Sequence, residues 1–253
     1  MDDILKFQNV SLIYQTSVGE TEALKNLSFT VKKSEFISII GPSGCGKTTV
    51  LSLIAGLLKQ SSGEIIYKGK NLSETDKNIG YMLQRDELFP WRNIERNVTL
   101  PLEIKKIKDK SARERAISLV EKYGLGEFLK HRPSSLSGGM RQRASLIRTL
   151  SFNPDLLLLD EPFSALDSQT RLKVSDDVFK IIRSENKTAI LVTHDISEAI
   201  SMSDRIIVLT KRPAKDFKEH TLLFDASLTP ISRREKPEFS KLFDVIWKEL
   251  CNA

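Results

Sequence analysis

Two stretches near the start of the chain, Phe7 to Tyr14 and Leu27 to Lys32, alternate loosely between apolar and polar residues. That period predicts antiparallel strands with one solvated face. Glu35 to Ile40 then runs apolar into a glycine turn. Lys47 to Leu58 carries a helical pattern that ends at the polar turn Gln60 to Gly63, and Glu64 to Lys68 returns to strand character. From Asp86 to Leu150 the pattern predicts mostly helix, with Ser111 to Tyr123 starting on a serine cap and Gly139 to Leu150 beginning just after a second serine and a glycine. Leu156 to Leu159 and Thr188 to Val192 are short apolar runs of the kind found in parallel strands covered on both faces, with Thr170 to Arg183 a helix between them. Finally, Phe239, Leu242, Phe243, Ile246, Trp247 and Leu250 fall at helical spacing behind Pro237. Packing of that stripe against its own domain is the expectation, and docking onto a partner is the alternative.

Composition adds exclusions. At 40% hydrophobic and 28% charged, the 253 residues are ordinary for a globular chain. The two cysteines, Cys45 and Cys251, are too few for a disulfide framework and too far apart to suggest a metal site, which fits a reducing compartment. The first residues start acidic and lack a basic stretch followed by an apolar one, so no secretory signal is expected and the chain is expected to stay in the cytoplasm. No apolar run approaches the roughly 20 residues that cross a bilayer, so work at a membrane requires a partner. The net charge of +6 comes from basic residues interleaved with acids, which reads as a solvated surface and not as a nucleic-acid partner.

The candidate chemistry begins at Gly41-Pro42-Ser43-Gly44-Cys45-Gly46-Lys47-Thr48, which matches G-x-x-x-x-G-K-[ST] between an apolar strand and a helix. The glycines let consecutive backbone N–H groups face a phosphate, and the helix start adds a positive dipole end. Lys47 is placed for the β and γ oxygens, the Thr48 hydroxyl for Mg²⁺, and Thr49 next to them for the nucleotide. Cys45 occupies a variable position of the loop, which favours a spectator over a thiol catalyst. Downstream, the strand Leu156 to Leu159 ends in Asp160-Glu161-Pro162, placing two carboxylates at the C-terminal edge of a parallel sheet. Asp160 is the candidate for Mg²⁺ and Glu161 for polarising the attacking water. Capping a helix is an equally good use for such a pair taken alone.

Those motifs specify a P-loop NTPase. Leu136-Ser137-Gly138-Gly139-Met140, followed by Arg141-Gln142-Arg143 and lying shortly before the acidic pair, goes further. Over nearly its whole length the sequence resembles the ABC ATPase family, whose signature is LSGGQ; Met140 replaces the final glutamine and leaves the serine and glycines intact. Physically, Ser137, Gly138 and Gly139 at a helix start form a second anion site. The resemblance implies a head-to-tail homodimer in which the signature of one subunit closes over the ATP held by the phosphate loop of the other, with ATP and Mg²⁺ as cofactors. It also implies that Tyr14 stacks on adenine and that Gln84 couples Mg²⁺ and water to the permease. Asp167, in Ser164-Ala-Leu-Asp167, falls in the loop that crosses the dimer interface, and His194 matches the switch histidine at the γ-phosphate. The implied fold is α/β: a P-loop NTPase core with a mostly parallel sheet over 1–85 and 151–212, an antiparallel β subdomain, a helical subdomain inserted at 86–150, and an extension over 213–253 ending in a helix.

The stretch Leu88-Phe-Pro-Trp-Arg-Asn-Ile-Glu-Arg-Asn-Val98 is similar to the subfamily serving importers of nitrate, sulfonates, taurine and pyrimidine precursors. In such systems the ATPase lies on the cytoplasmic side of the membrane against a separate permease, and an extracytoplasmic solute-binding protein takes part indirectly. Phe89, Pro90 and Trp91 are expected in the socket for the permease, with ordinary packing as the alternative. A soluble ABC ATPase of iron–sulfur cluster assembly is the rival reading, separated by the identity of its partner. A small-molecule P-loop kinase would leave the signature and His194 without a purpose.

Overall fold

The computed structural model describes residues 2–17, 19–215 and 217–252, so the predicted domain limits at 1 and 253 lie outside the described residues. In chain order the elements are β1 (Asp3–Thr16), β2 (Gly19–Lys32), β3 (Phe36–Ile40), α1 (Lys47–Ala55), β4 (Ser62–Tyr67), β5 (Lys70–Asn71), β6 (Ile79–Met82), α2 (Ile94–Val98), α3 (Leu100–Ile104), α4 (Lys110–Lys122) and α5 (Gly138–Leu150). They continue with β7 (Leu156–Asp160), α6 (Ser168–Ser184), β8 (Thr188–Val192), α7 (Ile196–Met202), β9 (Arg205–Leu209), β10 (Phe217–Thr221), α8 (Pro230–Arg234) and α9 (Pro237–Asn252). The chain divides into two compact units, Met1–Lys77 with Thr188–Ala253, and Asn78–Lys187.

The first unit contains an antiparallel sheet in the order β2-β1-β4-β5 and a second group in the order β10-β9-β3-β8. In the latter, β3 runs parallel to both β8 and β9 while β10 pairs antiparallel with β9. Every residue of β3 and of β8 is buried, as their mostly apolar pattern predicts for strands covered on both faces. Ser38, the one polar residue of β3, is fully buried and shares a 2.5 Å hydrogen bond with the Ser203 hydroxyl, so its burial leaves no orphan group.

The terminal stripe packs at home for most of its length: Ile246 is buried, and Phe239, Leu242, Phe243 and Leu250 lie against a core cluster containing Ile200, Ile206 and Leu222. Trp247 departs from the stripe. It is 54% exposed and stacks on Phe243 at the edge of the contact.

The second unit holds the parallel pair β6–β7 and the helices α2 to α6. Its helix starts correct one expectation. The cap of α4 is Asp109, whose carboxylate accepts from Ser111 N at 2.9 Å and from the Ser111 hydroxyl at 2.7 Å, so Ser111 sits inside the first turn and does not cap it. In the first unit α1 stops at Ala55, short of the predicted Leu58, because Gly56 turns left-handed and its N–H closes onto the carbonyls of Ser52 and Leu53. Among the described residues no helix is long and apolar enough to cross a membrane.

Candidate active site

In the first unit the phosphate-loop motif lies where strand β3 gives way to α1. Gly46, the residue just before the helix, has φ +110 and stands so close to β2 that a Cβ would meet Leu24 Cδ2 at 2.8 Å. Both the backbone angle and the contact demand glycine there. A Cβ on Gly41 would meet Cys45 Sγ at 2.7 Å and the Leu209 carbonyl at 2.9 Å. Cys45 is thus a buried spacer beneath the loop. Burial pushes its thiol pKa up against the opposing pull of Lys47, the reverse of what a nucleophilic cysteine needs. Ser43, Gly44 and Thr48 face outward, and a Cβ on Gly44 would meet nothing within 4 Å.

The Lys47 ammonium folds back over this loop, donating to the Gly41 carbonyl at 2.8 Å and the Pro42 carbonyl at 3.0 Å. It carries three donors, so it holds the loop's shape and keeps capacity for an anion above it. Tyr14 is 36% exposed, and its hydroxyl shares a 3.1 Å hydrogen bond with Thr49 Oγ1, tying β1 to the start of α1. In the parallel register Ile39 pairs with Val192. Gly41 and His194, each two residues further on, therefore emerge at the same C-terminal edge, where α/β sheets bind ligands.

The second unit repeats that logic. Met82 pairs with Leu159, so Gln84 and Glu161, again two residues on, emerge together. Gln84 Nε2 reaches Ser164 Oγ at 3.3 Å and Glu161 Oε2 at 3.5 Å. Glu161 has φ +44, a left-handed backbone rare outside glycine that costs about 1–3 kcal/mol. Ser164 fixes it there, its N–H and its hydroxyl both donating to the Glu161 carbonyl, at 3.2 and 3.0 Å. The kink swings the Glu161 side chain off the line of β7. Asp160, the last residue of β7, accepts from the Tyr81 hydroxyl at 3.0 Å. Burial, then the charge of Asp160 and this bond, raise the Tyr81 pKa well above the ordinary phenol value, so Tyr81 stays a donor.

Ser137 caps α5, its hydroxyl accepting from Met140 N at 3.3 Å. A Cβ on Gly139 would meet Val174 Cγ2 at 2.7 Å, so this glycine lets α5 pack closely on α6 as well as leaving backbone open at the helix start. Asp167 caps α6 by accepting from Thr170 N at 3.0 Å, and the Thr170 backbone and hydroxyl bonds lower its pKa.

Three residues outside the predicted set shape this half. Tyr81 orients Asp160. Arg141, two residues past the signature glycines, donates to the Leu136 carbonyl at 2.8 Å and to Asp86 Oδ2 at 2.9 Å. Asn97 is fully buried and closes the loop 89–93: its amide donates to the carbonyls of Phe89, Arg92 and Asn93, and its oxygen accepts from Phe89 N at 2.7 Å. Position in the sequence signalled Arg141 alone, since it follows the motif directly.

The donor set suits a nucleotide with Mg²⁺. Magnesium prefers a few hard oxygens plus phosphate and water over an all-protein cage. In the first unit Thr48 is exposed and offers a hydroxyl of that kind, and in the second unit Asp160 offers a carboxylate oriented by Tyr81.

Comparison with known proteins agrees with this chemistry. The family model described as ABC transporter matches residues 24–164. An uncharacterized ABC transporter ATP-binding protein of Bacillus subtilis (strain 168), YtlC, is 47% identical over 97% of this chain and 95% of its own length. An aliphatic sulfonates import ATP-binding protein of Bacillus cereus, SsuB, is 39% identical over 85% of this chain and 84% of its own. Among solved structures, the dimeric post-hydrolysis state of the ATP-binding cassette MJ0796 bound to ADP and Pi is similar with a TM-score of 0.71 and 32% identity, over 87% of this chain and 100% of that one.

Proposed function

This chain belongs to the ABC transporter family, and on that premise we propose that it is the ATP-hydrolysing subunit of an importer for a small sulfonate-type solute, working through a separate permease. It is a Mg-dependent ATPase. The observation that carries the reading is a phosphate loop in one unit and a second open helix start, Ser137-Gly138-Gly139, in the other, on a single chain. One nucleotide bound to one chain has no use for both. A head-to-tail homodimer uses both, with ATP between the phosphate loop of one copy and the signature of its partner.

In this reading Tyr14 offers its ring to adenine, Lys47 and the backbone from Gly41 to Thr49 hold the phosphates, and Thr48 and Gln84, with Asp160 through the water shell, would hold Mg²⁺. The metal, when bound, neutralises phosphate charge. Glu161 accepts a proton from the attacking water at its carboxylate, and His194 faces the γ-phosphate. Asp167 stands at the subunit boundary. The loop 89–93 presents Phe89 and Trp91, stacked with centroids 4.9 Å apart, as a ledge for the permease, and Trp91 is 69% exposed. The chain then works peripherally on the cytoplasmic face, with a solute-binding protein acting through the permease.

The test is to isolate the tagged chain from its own cells in mild detergent and identify what accompanies it. A multi-span membrane protein supports transport, and binding assays on its associated solute-binding protein then examine the sulfonate assignment. Soluble scaffold proteins without a membrane partner would transfer the ATPase to the iron–sulfur assembly alternative, which draws no support from relatives named as transporter subunits.

A further inference from the structure

The second unit carries a concave site whose chemistry the ATPase reaction does not use. Its volume is about 420 Å³, and its walls include Arg92, Arg96, Arg113, Lys130 and Arg132, with Trp91 on the rim. Glu95 is the one carboxylate among the lining residues. Five cations converging on one acid is an excess that mutual repulsion disfavours, unless an anion completes the set.

The existing partnerships show where the excess lies. Glu95 accepts from Lys130 at 2.5 Å and from Arg113 at 2.8 Å, and these two bonds, the first foremost, hold its pKa below the ordinary carboxylate range. Arg92 pairs with Glu103 at 2.8 Å. The guanidinium groups of Arg96 and Arg132 have no hydrogen-bond or ion-pair partner among the described residues. Each is a planar fork suited to two oxygens of one phosphate. The wall beside them is preformed, because Asn97 locks the loop bearing Trp91 through four hydrogen bonds.

We propose that this pocket binds a phosphate-bearing anion, gripped by Arg96 and Arg132 and bordered by Trp91. Two sources present that chemistry: a free diphosphate-type ligand, and the headgroup of an anionic phospholipid at the membrane face. Trp91 also belongs to the ledge assigned to the permease, so an anion here alters the surface on which the permease sits. The inference concerns this pocket alone and stands whether or not the transport reading holds.

The chain has two tryptophans, so Trp247→Phe leaves Trp91 as the sole reporter. The full chain with that substitution is saturated with Mg-ADP to occupy the phosphate loop, then titrated with pyrophosphate while Trp91 fluorescence is followed. A saturable change is expected, with its midpoint raised about tenfold by Arg96→Gln with Arg132→Gln. Both arginines are exposed, and an unchanged melting temperature confirms that the double variant is folded; the single Arg132→Gln chain, with a smaller shift expected, serves if it is not. Sedimentation with phosphatidylglycerol vesicles, against phosphatidylcholine alone, separates the sources. Arginine-dependent capture by the former supports the lipid headgroup, and pyrophosphate binding without capture supports the free anion. Binding of neither, or binding undiminished in the arginine variants, overturns the proposal. So does binding of neither alongside arginine-dependent binding of an acidic permease peptide, which would give the pocket to the permease.

Discussion

Arg141 donates from Nε to Asp86 Oδ2 at 2.9 Å while its NH1 holds the Leu136 carbonyl at 2.8 Å. One side chain therefore ties the turn that opens the signature to the loop that follows Gln84. Arg148, two turns along α5, reinforces the link by donating to the carbonyls of Asp86 and Glu87 at 2.7 Å each. Together these bonds fasten the signature helix directly to the loop that follows Gln84. Arg141→Ala and Asp86→Ala are each expected to destabilise the chain by about 1 kcal/mol, and the double variant by less than the sum. A denaturant double-mutant cycle checks this; strict additivity would show that the pair is not coupled.

Glu161→Gln keeps the size of the side chain and one acceptor oxygen but removes the basic carboxylate. ATP turnover is expected to fall by roughly 10²–10⁴, while ATP accumulates a dimer visible by size-exclusion chromatography. Turnover near the wild-type rate would remove Glu161 from the role of base.

The two thiols are expected to react very differently. Cys45 is buried with a raised pKa and Cys251 is exposed, and the thiolate is the reactive form. Mild alkylation of the native chain should label Cys251 alone, with Cys45 joining only after denaturation, as read by peptide mass spectrometry. Cys45→Ser should retain ATP hydrolysis, because no reacting atom touches the sulfur in the mechanism above.

Docking of α9 is expected to weaken in acid. Burial raises the Glu249 pKa, but hydrogen bonds from His220 at 2.8 Å and Lys218 at 3.2 Å outweigh it and leave the pKa lowered. A carboxylate with a lowered folded-state pKa contributes stability above its unfolded value, and that contribution is lost as the pH falls through the folded one. The window therefore opens below the ordinary glutamate value of 4.5. Glu249→Gln should reduce stability at neutral pH and flatten the acid limb of a melting-temperature profile. An acid limb identical to wild type would show that the group does not govern it.

Much of this protein is set by residues close together along the chain. The phosphate loop, the serine and glycines of the signature, the Asp160–Glu161 pair after an apolar strand, and the apolar runs of β3, β7 and β8 are all local patterns. Spacing alone carries them, because a strand followed by glycines and a helix start makes an anion cradle whatever surrounds it. The edges of elements were less legible: Asp109 competes with Ser111 for the cap of α4 and prevails because its carboxylate can accept from both the backbone N–H and the hydroxyl of Ser111. The remaining features depend on groups far apart in sequence. The bond from Tyr81 to Asp160 spans 79 positions and that from Arg141 to Asp86 spans 55. The convergence of Arg96, Arg113 and Arg132 on one pocket likewise exists only once the helices are packed. Trp247 fits the helical stripe in the sequence, yet in the fold it stands half in solvent and stacks on Phe243 while Ile246 beside it is buried. Periodicity states which face of an element is apolar; only tertiary packing decides how far the surface that covers it extends.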